Sequence, residues 1–184
     1  AEAEAIQGIT GYVGTMSDID ITDSAANLIS AGDHVLNVTG VDTVTVNAAG
    51  TGSTVTAQDG AILAGFTADV EFDVVDDVSD LKAIMGQNDA ASYLTEANSI
   101  TVDNGSGDRV VGAQDGAILA SFTADVDFDV ADTAANIAAE VMGANSATDL
   151  DEALSVVVQS GDAVSVAEAE AIQGITGYVG TMSD

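Results

Sequence analysis

The chain has 184 residues, with 31 acidic side chains against only two basic ones, and its formal net charge is −29. Nucleic acids and anionic membranes are bound through clustered Lys and Arg, so this composition excludes both classes of partner. The absence of Cys excludes disulfides and thiolate chemistry, and no run of residues has the roughly 20 apolar positions that membrane insertion requires.

The two ends of the chain carry the same eighteen residues. The sequence AEAEAIQGITGYVGTMSD occupies positions 1–18 and returns unchanged at 167–184, an offset of 166 residues. We expect a longer parent chain with this period, natural or engineered, in which residue 1 is not the natural N-terminus. Apolar residues of the segment are expected in a head-to-tail joint between copies. They are Ile6, Ile9 and Val13, and again Ile172, Ile175 and Val179.

A shorter repeat divides this period into three units. Residues 57–70 and 113–126 differ only at Gly65 and Ser121, and an acidic segment follows each copy. Such segments start at positions 18, 71, 127 and 184, and the spacings of 53, 56 and 57 residues fill the 166-residue period. Periods of this size indicate stacked units that bury their apolar faces against one another. The predicted units are 5–60, 61–116 and 117–170, and 171–184 begins the next copy.

Each unit is predicted to run strand, helix, strand, short strand, helix. The first strand alternates acidic and apolar residues, as half-buried strands do, and an Asp positioned to cap a helix follows it. A β-branched run and a short third strand come next, and a small helix closes the unit. In chain order, unit 1 has the cap Asp23, strands 34–38 and 41–46 and helix 57–66; unit 2 has the cap Asp76 and strands 99–102 and 109–111; unit 3 has the cap Asp132 and strands 154–158 and 163–166.

This alternation of strands and helices predicts an α/β fold. We favour a repeat solenoid of about 55-residue units, in which equivalent strands of successive units are neighbours in one sheet. Phe128 and Val130 are expected to face the core, and Ile62, Leu63 and Phe66 to share the buried face of a closing helix. The alternative architecture is a row of tandem small β-rich domains, in which Phe72 and Phe128 would lie in separate cores.

One short motif is similar to repeats of giant bacterial cell-surface proteins. The segments DTAANI at 132–137 and DSAANL at 23–28, each after an acidic strand, resemble repeats of large adhesins and of S-layer-like or matrix proteins. Unit 2 departs from the motif, because 76–81 reads DDVSDL. The resemblance implies an extracellular, cell-surface location. High negative charge agrees with that location, because it is best screened by salt or divalent cations, although a halophile's cytoplasm would also fit.

A recurrent D-x-D-x-x-D pattern is the main candidate site. Calcium takes six to eight oxygen ligands, often carboxylates, and stacked acidic strands repel one another unless a cation bridges them. The alternative is a solvated acidic face on which the third acid only caps a helix. The candidate Ca²⁺ ligands are Asp18, Asp20 and Asp23 in unit 1, Glu71, Asp73 and Asp76 in unit 2, and Asp127, Asp129 and Asp132 in unit 3.

Taken together, these patterns predict a structural protein and not an enzyme. The chain has one His, no Trp and no nucleotide-binding glycine motif, and its three Tyr and four Phe are few for a sugar-hydrolysing site. We expect a segment of a large extracellular surface protein that forms a spacer, filament or surface-layer array, with neighbouring repeats and divalent cations as partners. The alternative is an adhesin module that binds a glycan or another cell surface.

Overall fold

The computed structural model describes residues 19–32, 41–47, 52–85, 94–121, 125–143, 150–159 and 163–180. These residues form an α/β fold in which short helices alternate with parallel strands. The strands are β1 (Ile19–Asp23), β2 (Val41–Val46), β3 (Thr54–Val55), β4 (Val70–Glu71), β5 (Asp73–Asp76), β6 (Ser99–Val102), β7 (Val110–Val111), β8 (Val126–Asp127), β9 (Asp129–Thr133) and β10 (Ser155–Gln159). The helices are α1 (Ala25–Ala31), α2 (Ala57–Ala64), α3 (Val78–Met85), α4 (Ala113–Ala120), α5 (Ala134–Val141) and α6 (Val166–Gln173), with a 3₁₀ turn at Leu94–Glu96.

The strands form three small sheets, and every pairing among them is parallel. Their orders are β1-β2-β4, β3-β5-β6-β8 and β7-β9-β10. A single bridge between Val156 and Tyr178 extends the third sheet by one further position. Parallel neighbours need a crossover connection, and the helices supply it, as the alternating sequence pattern predicts.

The chain passes from one sheet to the next at Phe72 and at Phe128. Residues just before each Phe pair with the preceding sheet, through β4 and β8, and residues just after it begin the long strands β5 and β9 of the next. The expectation that equivalent strands of successive units are neighbours in one sheet is therefore wrong. The long strands β1, β5 and β9 lie in three different sheets, and each pairs with the second strand of its own unit.

Two predicted strand positions also need correction. In unit 1, Val41–Val46 is the second strand, not the third, because it pairs with β1 as Ser99–Val102 pairs with β5. The third strand of that unit is β3, and the predicted strand 34–38 lies outside the described residues. In unit 3, residues 163–165 have no regular structure and Val166 begins α6.

The buried apolar residues of all three units belong to one cluster. Phe72 and Phe128 are both fully buried members of it, so they do not lie in separate cores. Each helix packs against the next helix along the chain, from α1 to α6. Leu63 and Val130 are buried as predicted, whereas Ile62 is 38% exposed and does not share the buried face of α2. No helix in the described part of the chain is long and apolar enough to span a bilayer.

In units 1 and 3, the N-cap residue of the helix lies one position after the Asp that the sequence predicted as the cap. The N-cap of α5 is Thr133, whose hydroxyl accepts the N–H of Asn136 at 3.2 Å, and Ser24 does the same for α1. The predicted caps Asp132 and Asp23 instead stand at the ends of β9 and β1. The side chains of Asp132 and Asp23 also accept hydrogen bonds from the first turn of the helix. Two consecutive residues, and not one, therefore provide acceptors for the donor groups at the helix start.

Candidate functional site

Acidic residues of the first strands alternate in space with hydroxyl residues of the second strands. The aligned pairs are Asp20 with Thr43, Glu71 with Thr45, Asp73 with Ser99, Asp127 with Thr101 and Asp129 with Ser155. We call these ten residues the acid–hydroxyl face. The predicted ladder of stacked carboxylates is therefore not formed, because the direct neighbour of each of these acids is a Thr or Ser. Stacked like charges are unfavourable, and this interleaving avoids them.

The middle acid of each motif accepts a hydrogen bond across the strand pair. Thr43 donates to Asp20, Ser99 to Asp73 and Ser155 to Asp129, in each case at 2.6 Å from hydroxyl to carboxylate oxygen. Such O–H···O⁻ bonds are short and strong because the acceptor is charged. Each of these three acids thus has a hydroxyl donor from the neighbouring strand.

In unit 2 the first acid of the motif, Glu71, is bound more loosely than the middle acid. Thr45 donates to Glu71 at 3.5 Å, the upper limit for such a bond, and Asp127 is half-buried beside Thr101. Asp18 lies outside the described residues. Of the eight described ligands, five lie on the acid–hydroxyl face, and no three of the eight bring carboxylate oxygens within 4.8 Å of one another.

The third acid of each motif ties a strand end to helix starts. Asp132 accepts the Thr133 N–H at 2.7 Å and the Asn136 side-chain amide at 2.7 Å through one oxygen. Its other oxygen accepts the N–H of Ala113, the first residue of α4, at 3.0 Å. One carboxylate therefore links α4, β9 and α5.

Asp23 and Asp76 each form part of this link: Asp23 bonds to the start of its own helix α1, whereas Asp76 bonds to the residue before α3 and to the first residue of α2. Asp23 accepts the Ser24 N–H and the Asn27 amide, both at 2.7 Å. Asp76 accepts the N–H groups of Asp77 and Ala57, both at 2.9 Å. Position 80, where the other units have Asn27 and Asn136, is an Asp that cannot donate to Asp76.

The pKa values of these acids follow from those bonds. The Asn27 side chain, followed by the Ser24 N–H, lowers the pKa of Asp23 below its ordinary value. For Asp132, burial acts to raise the pKa, but the combined bonds from Ala113, Asn136 and Thr133 outweigh it and the pKa is lowered. The negative charges of Asp77 and then of Asp76 raise the pKa of Asp80.

Unit 2 gathers three acids where the other units have one. Asp76, Asp77 and Asp80 each offer a carboxylate oxygen within 4.8 Å of the others, a spacing that could hold a metal ion. Of the three, only Asp76 was among the predicted ligands. The sequence signal for the other two is the departure of DDVSDL from the DTAANI motif, which adds two acids at the start of one helix.

Both basic residues of the chain form ion pairs. Lys82 of α3 pairs with Asp115 of α4, and the Arg109 Nε lies 3.6 Å from Asp129 at the start of β9. Since both pairs are substantially exposed to solvent, each contributes little stability. The two positive charges nevertheless lie at contacts between elements: Lys82 joins α3 to α4, and Arg109 joins the residue before β7 to β9.

A polar groove of about 380 Å³ lies between α4 and α5. It is lined by Gly112, Gln114, Asp115, Asp132, Asn136, Ala139 and Glu140. Asp115 is engaged by Lys82, and both oxygens of Asp132 accept hydrogen bonds. The groove therefore offers acidic walls without an aromatic platform of the kind that sugar sites use.

The second copy of the repeated segment is docked on unit 3. Its residues Ile172 and Ile175 are buried, and α6 packs against α5. The Val156 backbone accepts from the Val179 N–H at 3.0 Å and donates to the Gly177 carbonyl at 2.8 Å, while the Asp151 carboxylate accepts the Thr176 N–H at 2.7 Å. Of the three apolar residues expected at a joint, Val179 is not covered, being 63% exposed.

Comparison with known proteins gives no relative for this arrangement. No protein-family model, no curated protein and no solved structure matches the chain.

Proposed function

We propose that this chain is a structural repeat segment of a large extracellular surface protein, in which stacked units form a solenoid that serves as a spacer, filament or surface-layer array. The observation that carries the proposal is the docking of 167–180 on unit 3, because the same residues also begin unit 1. A further period can therefore follow the third unit through the same packing and hydrogen bonds that this chain already makes. Repetition of this kind supplies length and mechanical continuity, and it does not build a single catalytic pocket.

Burial at the last helix supports continuation of the stack. Val166 is 76% exposed, whereas Ala57 and Ala113, which occupy the equivalent first position of α2 and α4, are buried. A next unit stacked as unit 3 stacks on unit 2 would cover this position. Exposed apolar residues of this kind are typical of a repeat whose neighbour is absent.

Strand register sets the length expected for one period. A step is the passage from one strand to the strand paired beside it, and β4 with β5, like β8 with β9, counts as one strand. Six such steps lead from β1 through β2, β4–β5, β6, β8–β9 and β10 to Tyr178. Neighbouring strands lie about 4.8 Å apart, so one period should add about 29 Å along the stack. Tyr178 is the second copy of Tyr12 in the sequence, so the sixth step reaches the start of the next period.

Solution scattering of chains that carry one, two and three 166-residue periods tests the proposal. We expect a rod whose maximum dimension grows by about 29 Å for each added period. A matched control has a flexible Gly/Ser linker of about twenty residues between Val166 and Ala167, and it should lose the rod-like scattering. If the chain without the linker scatters as independent beads, the array proposal is wrong.

Ca²⁺ binding is a second proposal, and it concerns the acids at the start of α3 in unit 2. The cluster of Asp76, Asp77 and Asp80 favours it, because their carboxylates lie within 4.8 Å of one another and the charges of Asp77 and Asp76 raise the pKa of Asp80. Carboxylate oxygens are the ligands that Ca²⁺ prefers. A bound ion would stiffen the start of α3 and thereby the contact between units 1 and 2.

A further inference from the structure

We infer that Asn104 is a site of spontaneous deamidation, which the folded loop 103–108 restrains and which proceeds when that loop opens. Asn104 is followed by Gly105, and this is the only Asn-Gly step in the sequence. Asn is a thermolabile residue, and glycine leaves the following backbone nitrogen unhindered because it has no side chain. Both residues are exposed, so water reaches the reacting groups. The inference concerns one loop of unit 2 and does not depend on the array function.

The reaction needs water as its only co-reactant. The backbone nitrogen of Gly105 gives up its proton to solvent and attacks the Asn104 Cγ. A C–N bond forms, the Cγ–Nδ2 bond breaks, and the side-chain amide leaves as ammonia. Water then opens the resulting succinimide ring, either at Cγ, which leaves aspartate, or at the main-chain carbonyl, which leaves isoaspartate. In both products a neutral amide has become a carboxylate.

The folded loop holds both reacting groups in other hydrogen bonds. The Asn104 side chain accepts the Val78 N–H at 3.2 Å and donates to the Val110 carbonyl at 2.9 Å. The Gly105 N–H donates to the Asp103 carboxylate at 2.8 Å. That carboxylate opposes the reaction twice, because it holds the proton that must leave and because its charge disfavours a second negative charge on the nitrogen. Both ends of the reaction are therefore restrained while the loop is closed.

Opening of the loop releases this restraint. Residues 104–108 are all exposed, and a loop held by exposed hydrogen bonds lies at the low end of local opening free energies. Gly105, Ser106 and Gly107 have positive φ, and Ser106, with a φ of 61°, is the only residue other than glycine with positive φ in the described part of the chain. Such a conformation is unfavourable for an L residue. Asp103 opposes opening, because it also accepts the Gly107 N–H at 2.9 Å.

Deamidation removes the link that Asn104 makes between α3 and β7. Val78 is the first residue of α3 and Val110 is the first residue of β7. A carboxylate cannot donate to the Val110 carbonyl, and it adds a negative charge at the helix start that follows Asp77. We expect Asn104→Asp to melt about 2–4 °C below Asn98→Asp, which adds the same charge at an exposed position outside the loop. Equal melting temperatures would contradict this loss of the link.

Peptide mass spectrometry of the full chain tests the site. The protein is incubated at mildly alkaline pH, either folded in buffer or unfolded in guanidinium chloride, and the gain of one mass unit at each Asn is followed with time. In denaturant, we expect Asn104 to react at least about tenfold faster than Asn27 and Asn136, whose next residues are the branched Leu28 and Ile137. In the folded chain, Asn104 should react at least about tenfold more slowly than in denaturant.

Two substitutions of Asp103 test the restraint. Asp103→Ala removes the acceptor of both loop N–H groups and should raise the folded rate at Asn104 at least about tenfold, whereas Asp103→Asn keeps an acceptor oxygen and should recover most of the restraint. Equal folded rates for the native chain and Asp103→Ala would overturn the restraint, and equal rates at Asn104, Asn27 and Asn136 in denaturant would overturn the site. Should Asp103→Ala not fold, the folded and unfolded rates of the native chain decide, because a restrained site must react at different rates in the two states.

Discussion

At the residue scale, the most informative position is the fourth after the third acid of the motif. Asn27 and Asn136 occupy it in units 1 and 3 and donate to Asp23 and Asp132, whereas Asp80 occupies it in unit 2. The difference replaces a hydrogen bond by a repulsion between carboxylates, which the raised pKa of Asp80 records. Unit 2 therefore gives up a local stabilising hydrogen bond and gains a cluster of three acids.

A reciprocal exchange of these residues measures that difference. We expect Asp80→Asn to raise the melting temperature in the presence of a chelator, because the amide can donate to Asp76 and one negative charge is removed. Asn136→Asp should lower the free energy of unfolding by about 0.5–1 kcal/mol, the range for a partly exposed hydrogen bond. Calorimetry at neutral pH compares both variants with the unchanged chain.

The pH dependence of the Asp80→Asn effect has a definite sign. The folded state raises the pKa of Asp80, so the ionised side chain destabilises the fold, and that penalty disappears as the pH falls through the raised pKa. We therefore expect the advantage of the variant to shrink on acidification from neutral pH. An advantage that grows on acidification would contradict the assignment of repulsion at this position, and Asp125→Asn, at an exposed acid outside the cluster, controls for net charge.

At the element scale, the closing helices α2 and α4 approach their sheets through a glycine. A Cβ at Gly116 would lie 2.8 Å from the Val130 Cγ2 and 3.2 Å from the Phe128 ring. The corresponding distances at Gly60 are 3.0 Å to Val74 and 3.1 Å to Phe72. The glycine in each helix thus allows the buried Phe at the step between sheets to lie directly beneath the helix.

Alanine at these glycines should destabilise the fold although alanine favours helices. Helix propensity gains about 1 kcal/mol, and overpacking costs about 1–3 kcal/mol. We expect Gly116→Ala to lower the free energy of unfolding by about 1–2 kcal/mol and Gly60→Ala by less, since its surroundings are looser. Urea unfolding gives the order, with Gly65→Ser as the control, because Ser121 already occupies the equivalent helix end. If Gly116→Ala is neutral or stabilising, Val130 and Phe128 move to accommodate the added methyl group, and the expected overpacking is contradicted.

The sequence predicted the elements of this fold better than their pairing. Hydrophobic alternation indicated strands around Phe128 and helices after Asp132, and both are present. Periodicity alone does not say whether equivalent strands meet, and the step between sheets at Phe72 and Phe128 depends on packing under the closing helices. In unit 1, Val41–Val46 was misassigned because the β-branched run at 34–38 had been taken as the second strand, which left Val41–Val46 as the third.

The candidate site was predictable in its residues but not in its partners. The acids were visible, and so were Ser99, Ser155 and Thr43 on the following strands. What the sequence did not specify was the register that sets each hydroxyl beside an acid, since a shift of one residue would turn these side chains to the opposite face. For the same reason, the sequence did not show that carboxylates predicted as metal ligands also accept protein hydrogen bonds.

At the scale of the whole molecule, charge is the dominant property. With a formal charge of −29 and both basic residues engaged in ion pairs, the fold contains acids in large excess over protein cations. Self-repulsion of this size destabilises a compact state, and added salt relieves it. We therefore expect the melting temperature to rise with sodium chloride, most steeply at low ionic strength.

Calcium should act beyond this screening if the acids of unit 2 bind it. An ion that binds only the folded state at about 100 times its dissociation constant adds about 2.7 kcal/mol, which corresponds to roughly 5–11 °C for a chain of this size. Melting curves in calcium, sodium and chelator at one ionic strength separate the two effects. Asp80→Asn should reduce the extra gain in calcium while raising the melting temperature in chelator, because it removes one ligand together with one repulsive charge. Identical curves for the three solutions would leave screening as the whole effect and withdraw the calcium proposal.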